Sequence, residues 1–209
     1  MPGQLKKEMV EMMNAMDAIL TRRSSRRFKD KAVEKDKLLK VIEAGRYAPS
    51  GGNSQTTHFI VLTNKEVKAE LAMQVQESFA AMEITPGMYR SMANSIKASK
   101  TGRYIYDHSA PVLIITANKK DYTNNLADCV CALENMMIAA NALDLGSCYI
   151  NQLKWLNEDP DVLLFLRKLG LKDDERVYAS LALGYADSED GLPNRKPQER
   201  SGNPVTFVD

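Results

Sequence analysis

The 209 residues contain no apolar run near the roughly 18 that a membrane-spanning helix needs, so no membrane partner is expected. No apolar h-region follows Met1-Pro2-Gly3-Gln4-Leu5-Lys6-Lys7. The expectation is therefore a chain without a signal peptide, in the cytoplasm. Charge of one sign is also missing: the formal net charge is +1, and no global field draws the protein onto nucleic acid. Aromatics make up 7% of the chain, and Phe28 alone stands beside the clustered arginines. A nucleic-acid module would need interleaved aromatics and a basic total, so none is expected. Histidine is limited to His58 and His108, and cysteine to Cys129, Cys131 and Cys148. Cys129 and Cys131 would project roughly 200° apart on a helix, which argues against a shared metal and for reduced structural thiols. GxGxxG after a strand and GxxxxGK[ST] are absent too, so no dedicated nucleotide fold is read here.

What is present has the size and apolar content of one compact domain over 1–209. Met9, Met13, Met16 and Leu20 recur at helical spacing and predict an amphipathic helix of about 14 residues, its Met stripe filling a core or a subunit interface. Glu34 to Tyr47 reads as a second helix that Pro49 stops. His58–Thr63, Val112–Thr116 and Val177–Leu183 read as buried strands, and Ser147–Ile150 as a short one. Helices are expected over 66–82, 121–145 and 161–169, the second ended by Gly146. Its broad apolar surface implies burial on more than one side. Residues 83–107 are the least regular and read either as a lid over a substrate or as a surface helix with loose ends. The tail Pro204-Val205-Thr206-Phe207-Val208 alternates like a strand without an obvious neighbour in its own chain.

The stretch Arg22-Arg23-Ser24-Ser25-Arg26-Arg27 holds four arginines and two serines in six positions. Guanidinium groups grip phosphate oxygens in pairs, and serine hydroxyls add short donors. Alone, the stretch reads equally as an anion cradle or a solvated basic turn. A second basic segment, Leu192-Pro193-Asn194-Arg195-Lys196-Pro197, and the loop Ala48-Pro49-Ser50-Gly51-Gly52-Asn53-Ser54-Gln55 lie elsewhere in the chain.

Together RRSxR, APSGGNSQ, LGSCYIN and LGYAD…RKP occur in the order seen in the nitroreductase family of FMN-dependent oxidoreductases, which the chain resembles from about residue 16 onward. The resemblance implies an α+β fold: a mainly antiparallel mixed sheet flanked by helices, with a C-terminal strand (201–209) exchanged to the partner subunit. It implies noncovalent FMN at the interface of a homodimer. Arg22, Arg23 and Ser24 would bind the cofactor, Arg26 would lie near the ribityl chain and the N1–C2=O edge, and Arg195 with Lys196 would close over the phosphate. Pro49, Ser50, Asn53 and Gln55 would reach the flavin from the other subunit. Tyr149, Ile150 and Asn151 would run along the ring near N5. The implied activity passes hydride from NAD(P)H to a flat small-molecule acceptor such as a nitroaromatic or quinone, in two-step kinetics through one open flavin face. A specialised dehydrogenase, reductive dehalogenase or flavin-fragmenting enzyme of the same fold is the alternative. The flavin carries the chemistry, so His58, His108 and Cys148 are expected to be structural. The chain departs from the common pattern at Thr56-Thr57, where relatives often have Pro-Trp, and at Asn151-Gln152, where many have an acidic residue and then Gly.

Overall fold

A computed structural model describes residues 13–209. Helix α1 spans Ala15–Thr21, shorter than expected, because Asn14 caps it by accepting the Asp17 amide at 2.9 Å; Met9 lies outside the described residues. The helix buries Ala18 and leaves Met16 and Leu20 exposed, so these two residues of the stripe lie outside the core, while Met13 is half-buried beside Thr21 and Asn141. Next come α2 (Lys35–Arg46), a 3-10 turn (Gly51–Asn53), β1 (His58–Leu62), α3 (Lys65–Ala81), α4 (Arg90–Ser99) and β2 (Val112–Lys119). The chain continues through α5 (Asn125–Ala142), β3 (Gly146–Ile150), α6 (Gln152–Trp155), α7 (Pro160–Lys168) and β4 (Glu175–Gly184).

The four strands form one sheet ordered β1-β2-β4-β3, each pairing antiparallel. The parallel component is a single bridge, Ser24 to Ser147, where the arginine stretch meets the free edge of β3. Period-two alternation divides the core. Leu113, Ile115 and Ala117 of β2 face one cluster with α3, α4, α6 and α7, while Val112 and Ile114 face the other with α2 and α5. Apolar side chains on both faces explain why these strands read as continuous hydrophobic runs.

Helix α5 stops at Ala142, with Asp144 in the left-handed conformation (φ 63°) just beyond. Gly146 is thus not its terminator but the first residue of β3. Most of the broad apolar surface of α5 is covered by the sheet, α2 and α1 of the same chain, while Leu126 near its start stays exposed. Residues 83–107 contain α4, whose Ile96 is buried in the core together with Tyr106; the segment packs as part of the domain rather than standing off it. Residues 204–208 form no strand within the chain and are exposed. Cys129 is buried, which pushes its thiol up to about 12, whereas Cys131 faces out.

Candidate functional site

The arginine stretch is fixed by its backbone. Ser25 N donates to Ser147 O at 2.8 Å, Asp187 N to Arg27 O at 3.0 Å, and Lys29 N to Tyr185 O at 3.0 Å. The approach to β3 is close enough that a Cβ on Gly146 would stand 2.6 Å from Ser25 Oγ and 2.8 Å from Ser25 Cβ. This is the role of Gly146. Arg22 and Arg23 are half-buried, while Ser24, Arg26 and Arg27 are exposed. Arg22 lies 3.7 Å from Glu134. Among the described residues no carboxylate pairs with Arg23, Arg26 or Arg27, so three guanidinium groups share one short strip with their charge uncompensated.

Arg195 is differently placed. It donates through Nε to Asn141 Oδ1 (3.2 Å) and through Nη2 to Asp144 (2.6 Å) and the Asn141 carbonyl, at the C-terminal end of α5 where a cation is favoured. Asn141 in turn donates to the Ala18 carbonyl and Thr21 Oγ1, both at 3.0 Å. One amide therefore brings the Arg195 segment to the end of α1, a residue before Arg22. Lys196 is exposed beside it. Sequence reasoning missed Asn141; its signal was a polar residue at a buried position in the apolar C-terminal half of α5.

Beyond the strip lies a cleft of about 220 Å³, lined by Arg26, His108, Tyr149, Ile150, Asn151 and Gln152 among others. The structure thus joins Arg26 to the 149–151 segment. Burial and the Arg26 guanidinium hold His108 below the usual imidazole range, so it is neutral at pH 7. Burial raises the Cys148 thiol despite Arg26, so it stays protonated. Gln152 ties the cleft to α4: its Oε1 accepts the Asn151 amide at 3.1 Å, and its Nε2 donates to the Tyr104 hydroxyl at 2.6 Å and Ser95 Oγ at 3.4 Å. His108, Gln152 and Trp155 line the cleft without having been picked from the sequence as site residues. Trp155, the single tryptophan, carried a compositional signal; its ring meets Phe79 and Tyr89 edge-on at 6.3 and 6.0 Å.

The Gly/Asn loop forms a second cleft, of about 160 Å³, with Pro49, Ser50 and Gln55 in its wall. It is braced from within. Asp128 accepts the Gly51 amide at 3.1 Å, and the Tyr122 hydroxyl lies 3.1 Å from the Gly51 carbonyl and 3.0 Å from Asp128 Oδ2. Ser50 Oγ accepts the Gln55 amide (3.1 Å), and Asn53 Oδ1 accepts Gln55 Nε2 (3.2 Å). Asn53 and Gln55 both have positive φ, near 50°. No residue lines both clefts: the loop leads into β1 at one edge of the sheet, and the strip lies on β3 at the other. His58, first in β1, bonds Glu175 at 2.8 Å, a structural link across β2.

Comparison with known proteins gives a consistent result. A family model described as "Nitroreductase family" matches residues 19–185. A nitroreductase with bound FMN from Bacteroides fragilis superposes with a TM-score of 0.82 at 32% identity, over 94% of this chain and 100% of that one. A nitrobenzene nitroreductase of Ectopseudomonas oleovorans is 26% identical over 201 residues, 82% of this chain and 86% of that protein. An FMN reductase (NADPH) of Bacillus subtilis is 24% identical over 194 residues, 90% of this chain and 72% of that protein.

Proposed function

This chain belongs to the nitroreductase family, and on that footing we propose that it is an FMN-dependent oxidoreductase that draws hydride from NAD(P)H and delivers it to a flat acceptor such as a nitroaromatic or quinone. The observation that carries the reading is the uncompensated guanidinium strip on the β3 edge, running directly into the Arg26 cleft. FMN asks for cationic donors at its phosphate, an apolar slot for its ring and positive charge at its N1–C2=O edge. The donor set fits: Arg23, Arg26 and Arg27 without carboxylate partners among the described residues, Arg22 with Glu134 no nearer than 3.7 Å, Ile150 and Trp155 in the cleft wall, and Arg26 as the cleft's cation beside a neutral His108. When bound, FMN supplies the ring that takes up and gives back hydride.

In this reading Arg22, Arg23 and Ser24 hold the phosphate, with Arg195 and Lys196 at its far side. Arg26 places positive charge at the pyrimidine edge, and the backbone of Tyr149, Ile150 and Asn151 lines the ring. The Asn151 amide already holds Gln152 Oε1, so a ligand that needs this donor must displace the Gln152 side chain. Pro49, Ser50, Asn53 and Gln55 complete the site from a second subunit, since within one chain their cleft is separate from that of Arg26. Exposed Met16 and Leu20 on α1 and exposed Val205, Phe207 and Val208 in the tail supply apolar surface for that homodimer. Donor and acceptor enter one opening in turn, which gives ping-pong kinetics.

The test is direct. The purified protein is expected to be yellow, dimeric in sedimentation at micromolar concentration, and to give parallel initial-rate lines with NAD(P)H and benzoquinone. Replacing Arg22 and Arg195 together by Ala should strip most of the flavin, and deleting 203–209 should weaken the dimer and flavin retention together. A colourless protein that does not take up added FMN would overturn the reading; an active, flavin-loaded monomer would overturn its dimeric part.

A further inference from the structure

A cavity of about 520 Å³ shares no lining residue with the Arg26 cleft. The two are separated by the segment 104–111: Ile105, Asp107, Ser109 and Pro111 line one side, and His108 the other. Its walls are mostly apolar, with Val33, Ala69, Ala72 and Ile105. Against them stand two buried ionisable groups, Lys68 (8% exposed) and Asp107 (3% exposed).

Lys68 heads the buried face of α3, where the spacing of Leu71, Val75 and Phe79 calls for an apolar residue. Its ammonium donates to the Ala110 carbonyl, its one hydrogen-bond acceptor among the described residues. Asp107 accepts the Ser109 amide at 3.0 Å. The two charged groups do not reach ion-pair distance of one another. Burial pulls the lysine down and pushes the aspartate up from their ordinary values, the mark of charges that lack sufficient partners. At the rim Lys65 and Asp30 pair at 3.0 Å. The cavity therefore carries two cations and two anions, and a charged guest would meet as much repulsion as attraction.

We propose that this cavity is a second small-molecule site, distinct from the cofactor cleft, for a neutral hydroxylated aromatic ring whose oxygen sits between the Lys68 ammonium and the Asp107 carboxylate. A phenolic oxygen accepts from the one while its proton goes to the other, so both buried groups gain a partner through a single atom. The volume is in the range of pockets that enclose such molecules, and two convergent polar groups in an apolar wall give it orientation. The site also bears on its neighbour. The shared wall contains His108 and Ser109, both at positive φ (56° and 53°), and Tyr104, whose hydroxyl meets Gln152. A ring bound against Ile105 and Asp107 stiffens that wall. None of this rests on the proposed reaction.

The experiment is calorimetric titration of the protein as purified with p-cresol, toluene and p-methylbenzoate. p-Cresol should bind saturably, at least about tenfold tighter than the other two, as expected for hydrogen bonds to buried charged groups. Lys68→Met and Asp107→Asn should each abolish the preference for p-cresol over toluene and leave flavin content unchanged. Ala72→Trp, which fills the cavity while leaving both charged residues in the chain, should block all three probes and covers the case in which Lys68→Met fails to fold. Equal binding of p-cresol and toluene, no saturable binding, or p-cresol binding that survives Ala72→Trp would each overturn the proposal.

Discussion

The arginine strip and the Gly/Asn loop are both short, polar and irregular, yet they are built in opposite ways. The strip is held by its backbone, through bonds to Ser147, Tyr185 and Asp187 far along the chain, and among the described residues all its guanidinium groups but that of Arg22 are left without a carboxylate partner. The loop is held by its side chains: Ser50, Asn53, Ser54 and Gln55 bond within the loop or to the Tyr122–Asp128 pair. Polar side chains that hold a fold together are poor candidates for holding a ligand as well. The difference is the reason the proposed reading puts the phosphate on the strip. The loop is a rigid presented shape, offering backbone and Pro49 more readily than hydrogen-bonding side chains.

The largest expected effect tests whether the strip depends on that backbone contact. Gly146→Val places atoms inside Ser25, where neither the short side chain nor the paired backbone can yield. Loss of flavin and about 1–3 kcal/mol of stability should follow. Gly51→Ala is the matched change in the loop. Its Cβ meets the ends of the Asn124 and Tyr122 side chains, which can move, and the melting temperature should fall less. Equal losses in thermal melts of the two variants would erase the contrast.

Next, Asp128→Ala leaves the Gly51 amide without its side-chain acceptor, takes one partner each from the Ser54 and Tyr122 hydroxyls, and should cost about 2 kcal/mol in urea unfolding. The strip should be unaffected, with Ser25 and Lys29 amide protection retained in hydrogen exchange. Arg26→Ala is the converse: flavin affinity should fall about tenfold with the melting point of the flavin-free protein unchanged, because no carboxylate loses a partner. A marked drop in that melting point would show that Arg26 is structural after all.

The smallest effect is acid sensitivity on the loop side of the sheet. Burial alone would raise the Glu175 carboxyl. Bonds from His58 and the Lys172 amide, with the charges of both residues, outweigh it and bring the group below its ordinary 4.5. Stability from this group is complete above about that pH and is lost as pH falls through the lower folded value. Glu175→Gln should therefore flatten the acid limb of the stability curve below pH 4.5, and circular dichroism at fixed urea reads it directly.

Most strands and the longer helices were legible because one residue type dominated each face, as with Ile114 and Leu181 on one side of the sheet and Leu113 and Ala182 on the other. The motifs led to the strip, the loop and the 149–151 segment. What the sequence withheld were matters of distance. Gly146 looks like a helix terminator until Ser25 is seen against it. Arg195 looks like a phosphate ligand, and in the folded chain it is also clasped by Asn141 and Asp144. Lys68 sits at core spacing in α3, but no periodicity rule predicts a buried lysine, because the one acceptor it finds among the described residues is an Ala110 carbonyl 42 residues away.

The amide of Asn141 has one more implication, for the order in which the molecule forms. Its partners Ala18 and Arg195 lie 123 and 54 residues away in sequence, so the cation cluster closes only after two long loops have done so. Such contacts are entropically late in folding. The bound anion would then meet a finished receptor rather than template one. FMN should leave the refolding rate nearly unchanged and act instead on the return journey, slowing unfolding in proportion to its occupancy.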